Sequence, residues 1–414
     1  KILEEKEDAF INLHDDFILL EDNKHFLWSS ERSGWRHLYL YDVHGKLVQQ
    51  LTDGEWPVAS ITAVDEKGKW VYFTGNTEMG LETHFFRVKL DGSKLQKLTD
   101  APGSHRISMD PAARYYVDSY SSFETAPIAN LHQADGKKLR TLMTSNTEKL
   151  DALGLEKPEL VIVKAADGET DLHGLLYKPA GFDPNKKYPL LVSVYGGPHS
   201  KSVRNSYQMG GYLQMLAQLG YMVWTQDNRG LRSRGKAFET ETYLKLGQVD
   251  LADQTAGVKQ ISERPYIDGS RVGVFGGSYG GYMTCLALLK EPEVFHVGVA
   301  GAPVTDWRNY DTIYTERYMR TPQENPEGYD TGSALKFAEN LQGKLLLIHG
   351  TVDNNVHPGN TIQLIEELVK AGEQFDLMFY PEQRHGIRGA GRAHSSQLRL
   401  DYFEKHLKPV EFVP

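Results

Sequence analysis

A serine set among glycines, Gly276-Gly277-Ser278-Tyr279-Gly280-Gly281, stands between an apolar run, Arg271 to Phe275, and a stretch that carries Met283, Leu286 and Leu289 at helical spacing. A strand that turns sharply into a helix leaves little room at the turn, so small residues must flank the serine, and its hydroxyl stands clear of the sheet edge. The short pattern G-x-S-x-G is common by chance; a strand before it and a helix after it make it a nucleophile elbow. A serine hydroxyl is a weak nucleophile near neutral pH and needs a general base, and after an elbow of this kind the partners follow in the chain order Ser, Asp, His. The chain keeps that order. His349-Gly350-Thr351-Val352-Asp353 follows the apolar run Lys344 to Ile348, which puts Asp353 at the end of a strand, and Pro381-Glu382-Gln383-Arg384-His385 follows the run Phe375 to Tyr380, which puts His385 on the next loop. His385 is expected to take the Ser278 proton and pass it to the leaving group while Asp353 holds the imidazole tautomer. Three other histidines, His349, His357 and His394, read as surface or core residues, and Asp311 and Asp376 are weaker rivals of Asp353 because neither stands just beyond a buried strand.

A tetrahedral intermediate needs donors aimed at its oxygen. One is the backbone N–H of Tyr279, the residue after the nucleophile; a second is expected after the third strand, where Tyr195-Gly196-Gly197-Pro198 supplies a glycine-bearing loop. Tyr195 is the candidate there, although spacing alone also allows a packed aromatic in a plain turn.

These groups must be held by a frame, and the frame is legible from about residue 158 onward. Short apolar runs at Leu190 to Val194, Tyr221 to Thr225, Arg271 to Phe275, Val297 to Ala300, Leu345 to Ile348 and Phe375 to Tyr380 alternate with helical stretches, one running from a cap at Asp250 to Arg264 and one from Thr361 to Ala371. Strands alternating with helices predict a mostly parallel sheet flanked by helices, an α/β-hydrolase over residues 151-414. Residues 1-150 differ. Gly45 to Thr52, Gly92 to Thr99 and Gly136 to Leu142 resemble one another at a spacing of roughly 45 residues, a blade period. Each is expected to be a blade's outer strand, with inner strands at Phe26 to Ser30, Trp70 to Thr74 and Tyr115 to Ser119. The expectation is part of an all-β propeller, about three blades; a β-sandwich of similar strand count is the alternative.

Composition narrows the function. A net charge of −9 argues against a nucleic-acid backbone as partner. No uncharged apolar run approaches the ~20 residues that a bilayer crossing needs. One cysteine, Cys285, leaves no disulfide framework, and no His-Glu-x-x-His, phosphate loop or calcium loop occurs, so neither metal nor cofactor is expected. The chain opens on Lys1 rather than methionine, and three blades do not close a ring, so further sequence is expected upstream, and no compartment can be read.

With these residues in place, the chain resembles the dipeptidyl peptidase IV branch of the prolyl oligopeptidase family along its whole length. Ser30-Glu31-Arg32 followed by Trp35-Arg36-His37-Leu38-Tyr39 is similar to the family's late propeller, the Tyr195 loop to its oxyanion motif, and Ser278, Asp353 and His385 fall on its triad. The segment Val304 to Tyr318 resembles the stretch that builds the family's proline pocket. The resemblance implies that Val304, Trp307, Tyr310, Tyr314 and Val356 line an apolar slot for the residue before the cut bond, that Asn355 holds a substrate carbonyl and that Tyr310 helps receive the amino end. It implies a serine peptidase acting on short peptides after proline or alanine, most simply releasing N-terminal dipeptides, and pairing as a homodimer. Prolyl tripeptidyl and acylaminoacyl peptidases, an esterase or lipase, and a non-catalytic interaction module share the fold. Two departures are visible: Gly277 stands where this branch often carries a tryptophan, and the family's amine-binding glutamates belong to upstream propeller sequence outside this chain.

Overall fold

The Leu-Thr pairs that close the first two repeats act as clamps in the computed structural model, which describes residues 1–410. Thr52 Oγ1 meets His37 Nδ1 at 3.0 Å and accepts the Leu38 N–H at 3.0 Å. Thr99 Oγ1 meets His84 Nδ1 and accepts the Phe85 N–H, also at 3.0 Å. In both repeats a hydroxyl pairs a strand N–H where the neighbouring edge strand has ended, so no buried donor is left open. Gly45, Gly92 and Gly136, in the turns before the edge strands, all have positive φ (85°, 77° and 97°), which a side chain resists.

One compact unit comprises Lys1–Leu153 with two later segments, Arg204–Gln208 and Arg232–Thr240. Its strands fall into three antiparallel groups, repeated in series as propeller blades. The first is Phe17–Leu19, His25–Ser30, His37–Asp42 and Leu47–Gln50. The second is Val58–Asp65, Trp70–Thr77, Glu82–Lys89 and Gln96–Lys97, and the third is Ser104–Met109, Tyr115–Ser121, Ile128–Gln133 and Lys138–Thr144. A parallel pair, Thr83 with Ser104, joins the second and third groups into one sheet. Between the first two groups Leu27, Leu38, Val71, Phe73 and Val88 form a core with no exposure, closed by Trp56 stacked on Phe86 at 5.1 Å. The two later segments are tied into this unit by polar contacts: Asn205 Nδ2 donates to Glu82 Oε1 (2.6 Å), and Asn12 Nδ2 to Glu239 Oε2 (2.7 Å). The buried Lys236 ammonium donates to the Phe10 carbonyl (2.5 Å) and to Glu31 (3.1 Å).

The other unit comprises Gly154–Val203, Met209–Leu231 and the chain from Glu241 onward. Its strands are β1 (Glu159–Lys164), β2 (Asp171–Tyr177), β3 (Tyr188–Ser193), β4 (Met222–Gln226), β5 (Ile267–Gly277), β6 (Val297–Gly301), β7 (Lys344–Gly350) and β8 (Asp376–Tyr380). They lie in the order β1-β2-β4-β3-β5-β6-β7-β8. The β1/β2 and β2/β4 pairs are antiparallel; every later pair is parallel. The run-like strands are the parallel ones because helices cover both faces, so Leu190, Leu191, Val223, Val272 and Leu345 are all enclosed. The helices that bear on the site are α1 (Tyr212–Gln218), α2 (Val249–Ser262), α3 (Tyr279–Lys290), α4 (Thr312–Met319), α5 (Gly359–Ala371) and α6 (Gly389–Leu407). This is an α/β-hydrolase sheet. Two expectations need correction: Asp250 does not cap α2 but lies inside its first turn, after Gln248 at the cap, and α5 begins two residues before Thr361. Among the described residues no helix is long and apolar enough to cross a membrane.

Candidate active site

Parallel strands end on one edge of their sheet, and ligands bind beyond those ends. Every residue with expected chemistry follows such an end: Tyr195 after β3, Ser278 after β5, Val304 after β6, Asp353 after β7 and His385 after β8. Ser278 joins β5 to α3 with φ 59° and ψ −120°, a conformation costly for a residue with a side chain. Its N–H donates to the Gly301 carbonyl at 2.8 Å, which anchors the turn to β6. The flanking glycines are required by contact: a Cβ at Gly276 or Gly280 would come within 2.4 or 2.3 Å of the Val194 carbonyl oxygen. At Gly277 the nearest atom to such a Cβ is 3.9 Å away. Ser278 and His385 line one cavity of ≈ 580 Å³.

His385 is half-buried and its Nδ1 lies 2.8 Å from Asp353 Oδ2. The ionised carboxylate is only an acceptor, so Nδ1 carries hydrogen and the Nε2 lone pair is free to act as a base. Asp353 is enclosed, and its other oxygen accepts the N–H groups of Asn355 (2.9 Å) and Val356 (3.1 Å). A residue assigned to the core adds a further partner. His349, fully buried, points Nε2 at the Val356 carbonyl (2.9 Å) and at Asp353 Oδ2 (3.3 Å), and its Nδ1 meets Thr361 Oγ1 at 2.7 Å. A carbonyl only accepts, so Nε2 bears the hydrogen and Nδ1 accepts from the threonine hydroxyl. Burial lowers the pKa of His349 and keeps the ring neutral. The carboxylate is therefore held by two peptide N–H groups and two imidazoles, while Asp376, at the start of β8, accepts the Tyr402 hydroxyl, and Asp311 flanks α4.

Tyr279 begins α3, whose first N–H groups have no carbonyl a turn earlier to bond, so its N–H is free for an oxyanion. Its side chain is buried and donates its hydroxyl to Asp250 Oδ2 at 2.5 Å. Burial pushes the Asp250 carboxyl up to about 6 and the Tyr279 hydroxyl well above its ordinary range. Tyr195 keeps 43% of its surface exposed and tilts over the Tyr279 ring at 6.1 Å.

The segment after β6 forms an aromatic cluster next to Tyr279. Trp307 lies 5.4 Å from the Tyr279 ring, stacks on Tyr314 at 5.8 Å and meets Tyr310 edge-on at 5.9 Å. Val304, Trp307 and Val356 are buried, whereas Tyr310 and Tyr314 are partly open. Tyr310 donates its hydroxyl to Asn355 Oδ1 at 2.7 Å, which leaves the Asn355 amide hydrogens available. None of these residues lines the Ser278 cavity, so the aromatic cluster and the cavity are separate surfaces. Among the described residues no group of three or more His, Cys, Asp or Glu could hold a metal ion.

Sequence reading missed His349 and Asp250. Asp353 and Tyr279, their respective partners, become neighbours through the fold, and only the short distance from His349 to Asp353 in the chain offered a hint.

Comparison with known proteins agrees with this architecture. The model of the prolyl oligopeptidase family matches residues 207–410, and that of the dipeptidyl peptidase IV N-terminal region matches residues 1–127. Human dipeptidyl peptidase 8 is 35% identical over 98% of this chain and 50% of its own length. The crystal structure of Porphyromonas gingivalis dipeptidyl peptidase 4 superposes with a TM-score of 0.89 at 35% identity, over 95% of this chain and 56% of that one. A second solved chain, from Bacteroides ovatus, gives a TM-score of 0.92 at 35% identity over 97% of this chain and 60% of its own. The chain spans about half the length of the curated relatives it matches. With its blades, its hydrolase sheet and both family models in agreement, the chain belongs to the prolyl oligopeptidase family, on its dipeptidyl peptidase IV branch.

Proposed function

We propose that this chain carries the catalytic site of a serine peptidase that cuts short peptides after proline or alanine and releases an N-terminal dipeptide. The observation that carries the reading is the His385–Asp353 hydrogen bond at 2.8 Å, with His385 and Ser278 on one cavity wall. Ser278 Oγ attacks the carbonyl carbon of the second substrate residue while His385 Nε2 takes its proton. The Tyr279 N–H and the Tyr195 hydroxyl donate to the oxygen as it gains charge. His385 then protonates the leaving amine, the C–N bond breaks, and an acyl group stays on Ser278. Water, deprotonated by His385, releases it. Proline has a compact ring and no N–H, so a slot walled by Val304, Trp307, Tyr310, Tyr314 and Val356 selects it by packing alone. Asn355, with its oxygen occupied by Tyr310, directs its amide hydrogens at a substrate carbonyl.

The test is a panel of chromogenic substrates: free-amine X-Pro, N-blocked X-Pro, tripeptidyl and simple ester. Turnover of the free-amine X-Pro compound, lost in Ser278→Ala together with labelling by a fluorophosphonate, is the expected result. Preference for the blocked or tripeptidyl compound would move the assignment to a related peptidase, and hydrolysis confined to the ester would defeat it.

A further inference from the structure

The cavity that Ser278 shares with His385 holds a charge that the proposed chemistry leaves idle. Arg399, on α6, packs its guanidinium against two rings that meet edge-on, 5.2 Å from the centroid of Tyr212 and 5.2 Å from that of Phe275. Its Nε is buried without a hydrogen-bond partner among the described residues. Among the described residues no carboxylate lines the cavity; Ser193, Ser395 and Ser396 contribute hydroxyls, and Arg392 a second guanidinium. A guanidinium carried on two aromatic rings, with no carboxylate among the described residues of the cavity wall to neutralise it, is arranged to bind an anion, and its planar fork matches a carboxylate.

The position of the cavity identifies which part of a substrate would meet it. His385 protonates the departing amine, so the segment beyond the cut bond lies on the His385 side, and Ile387, Arg392 and Ser396 continue the cavity wall from there. The aromatic slot for the preceding residue shares none of this wall. Gly277 keeps the way open, since a side chain begun there would grow into space with its nearest neighbour 3.9 Å off. Phe275, on whose ring Arg399 packs, lies three strand steps of about 3.3 Å before Ser278, a separation on the order of 10 Å. A carboxylate one or two residues beyond the cut bond spans that distance.

Resting on the peptidase reading above, we propose that Arg399, steadied by Tyr212 and Phe275, binds a carboxylate of the leaving peptide, so that peptides with a negative charge just after the cut bond are preferred. The carboxylate is either the C-terminus of a very short substrate or an acidic side chain, and the assay separates the two. It compares kcat/KM for Gly-Pro-Gly-Gly as free acid and as amide, and for Gly-Pro-Glu-Gly amide and Gly-Pro-Gln-Gly amide, with Gly-Pro-p-nitroanilide as a reference that has no carboxylate. In at least one pair the acid form is expected to lead by about tenfold, and the responding pair names the source. Arg399→Gln is expected to bring that ratio close to 1, and Arg399→Lys to keep part of it; because each ratio is taken within one preparation, a general loss of activity cancels. Ratios near 1 in both pairs for the unaltered protein, or a ratio that survives in Arg399→Gln, would overturn the proposal alone. If Arg399→Gln does not fold, the unaltered protein and Arg399→Lys decide it. Absence of turnover on all five compounds would overturn the peptidase reading and this inference with it.

Discussion

Tyr279 gives its hydroxyl hydrogen to Asp250 at 2.5 Å in a place neither side chain shares with water, so the first residue of α3 is tied to the first turn of α2. The bond fixes the residue whose backbone N–H is proposed to receive the oxyanion. It also carries a pH signature. Burial raises the Asp250 carboxyl to about 6 from an ordinary 3.8, so the folded state binds this proton more tightly than the unfolded state. The stability it contributes is fully present below pH 3.8 and lost as pH rises through about 6. Asp250→Asn, which does not titrate, is expected to gain several degrees in melting temperature relative to the unaltered protein between about pH 4 and pH 7, read by thermal melts across that range.

Asp353→Asn keeps the shape of its side chain but turns an acceptor toward a possible donor. His385 then favours the tautomer with hydrogen on Nε2, the wrong one for a base. Turnover of a Gly-Pro anilide is expected to fall by roughly 10⁴ while the melting temperature changes little by comparison.

His349→Ala strips Asp353 of one imidazole and leaves the Thr361 hydroxyl and the Val356 carbonyl without their partner. Loss of a buried hydrogen-bonded group of this kind costs about 1–3 kcal/mol. Urea unfolding is expected to show that loss, and Thr361→Val a smaller one.

The two glycines around Ser278 should respond in opposite ways. Gly280→Ala brings a methyl group within 2.3 Å of a peptide oxygen, which the backbone cannot accept in place, so soluble yield and melting temperature should both drop. Gly277→Ala meets nothing closer than 3.9 Å and should fold and melt like the unaltered protein.

Trp307→Ala empties an enclosed wall of the proposed aromatic slot. Selectivity for proline over alanine at the residue before the cut bond, taken as a ratio of kcat/KM, is expected to shrink by about tenfold, since a lost ring contact in an apolar pocket is worth roughly 1–3 kcal/mol.

The sequence made the parallel strands visible because burial on both faces demands unbroken apolar runs, and runs such as Leu345–Ile348 can be read directly. It made β1 far less visible: of its residues only Val163 is buried, as befits an edge strand. The blade repeat was legible through its turn glycines and Leu-Thr pairs, whereas the strands between them alternate weakly. A strand before and a helix after the glycine-flanked serine suggested Ser278, and strand ends, loops and chain order together suggested Asp353 and His385. Asp250 misled because an acid at a helix start usually serves as its cap; this one accepts the nearby Gly247 and Leu251 N–H groups from inside the first turn and also the hydroxyl of a tyrosine 29 residues away, a contact that only the packing of α2 against α3 creates. Arg399 gave no signal either, since its meaning lies in the two rings that the fold packs against it.

Asp353 Oδ1 accepts the N–H of Val356, and the side chain of Val356 belongs to the proposed slot wall. One carboxylate thus steadies the imidazole with one oxygen and the proposed slot wall with the other. A side chain too large for the slot would push on the very peptide unit that holds the acid in register. If the slot acts as proposed, discrimination is expected to show as a lower rate of acylation for a misfitting peptide even at saturating concentration, measured by single-turnover kinetics.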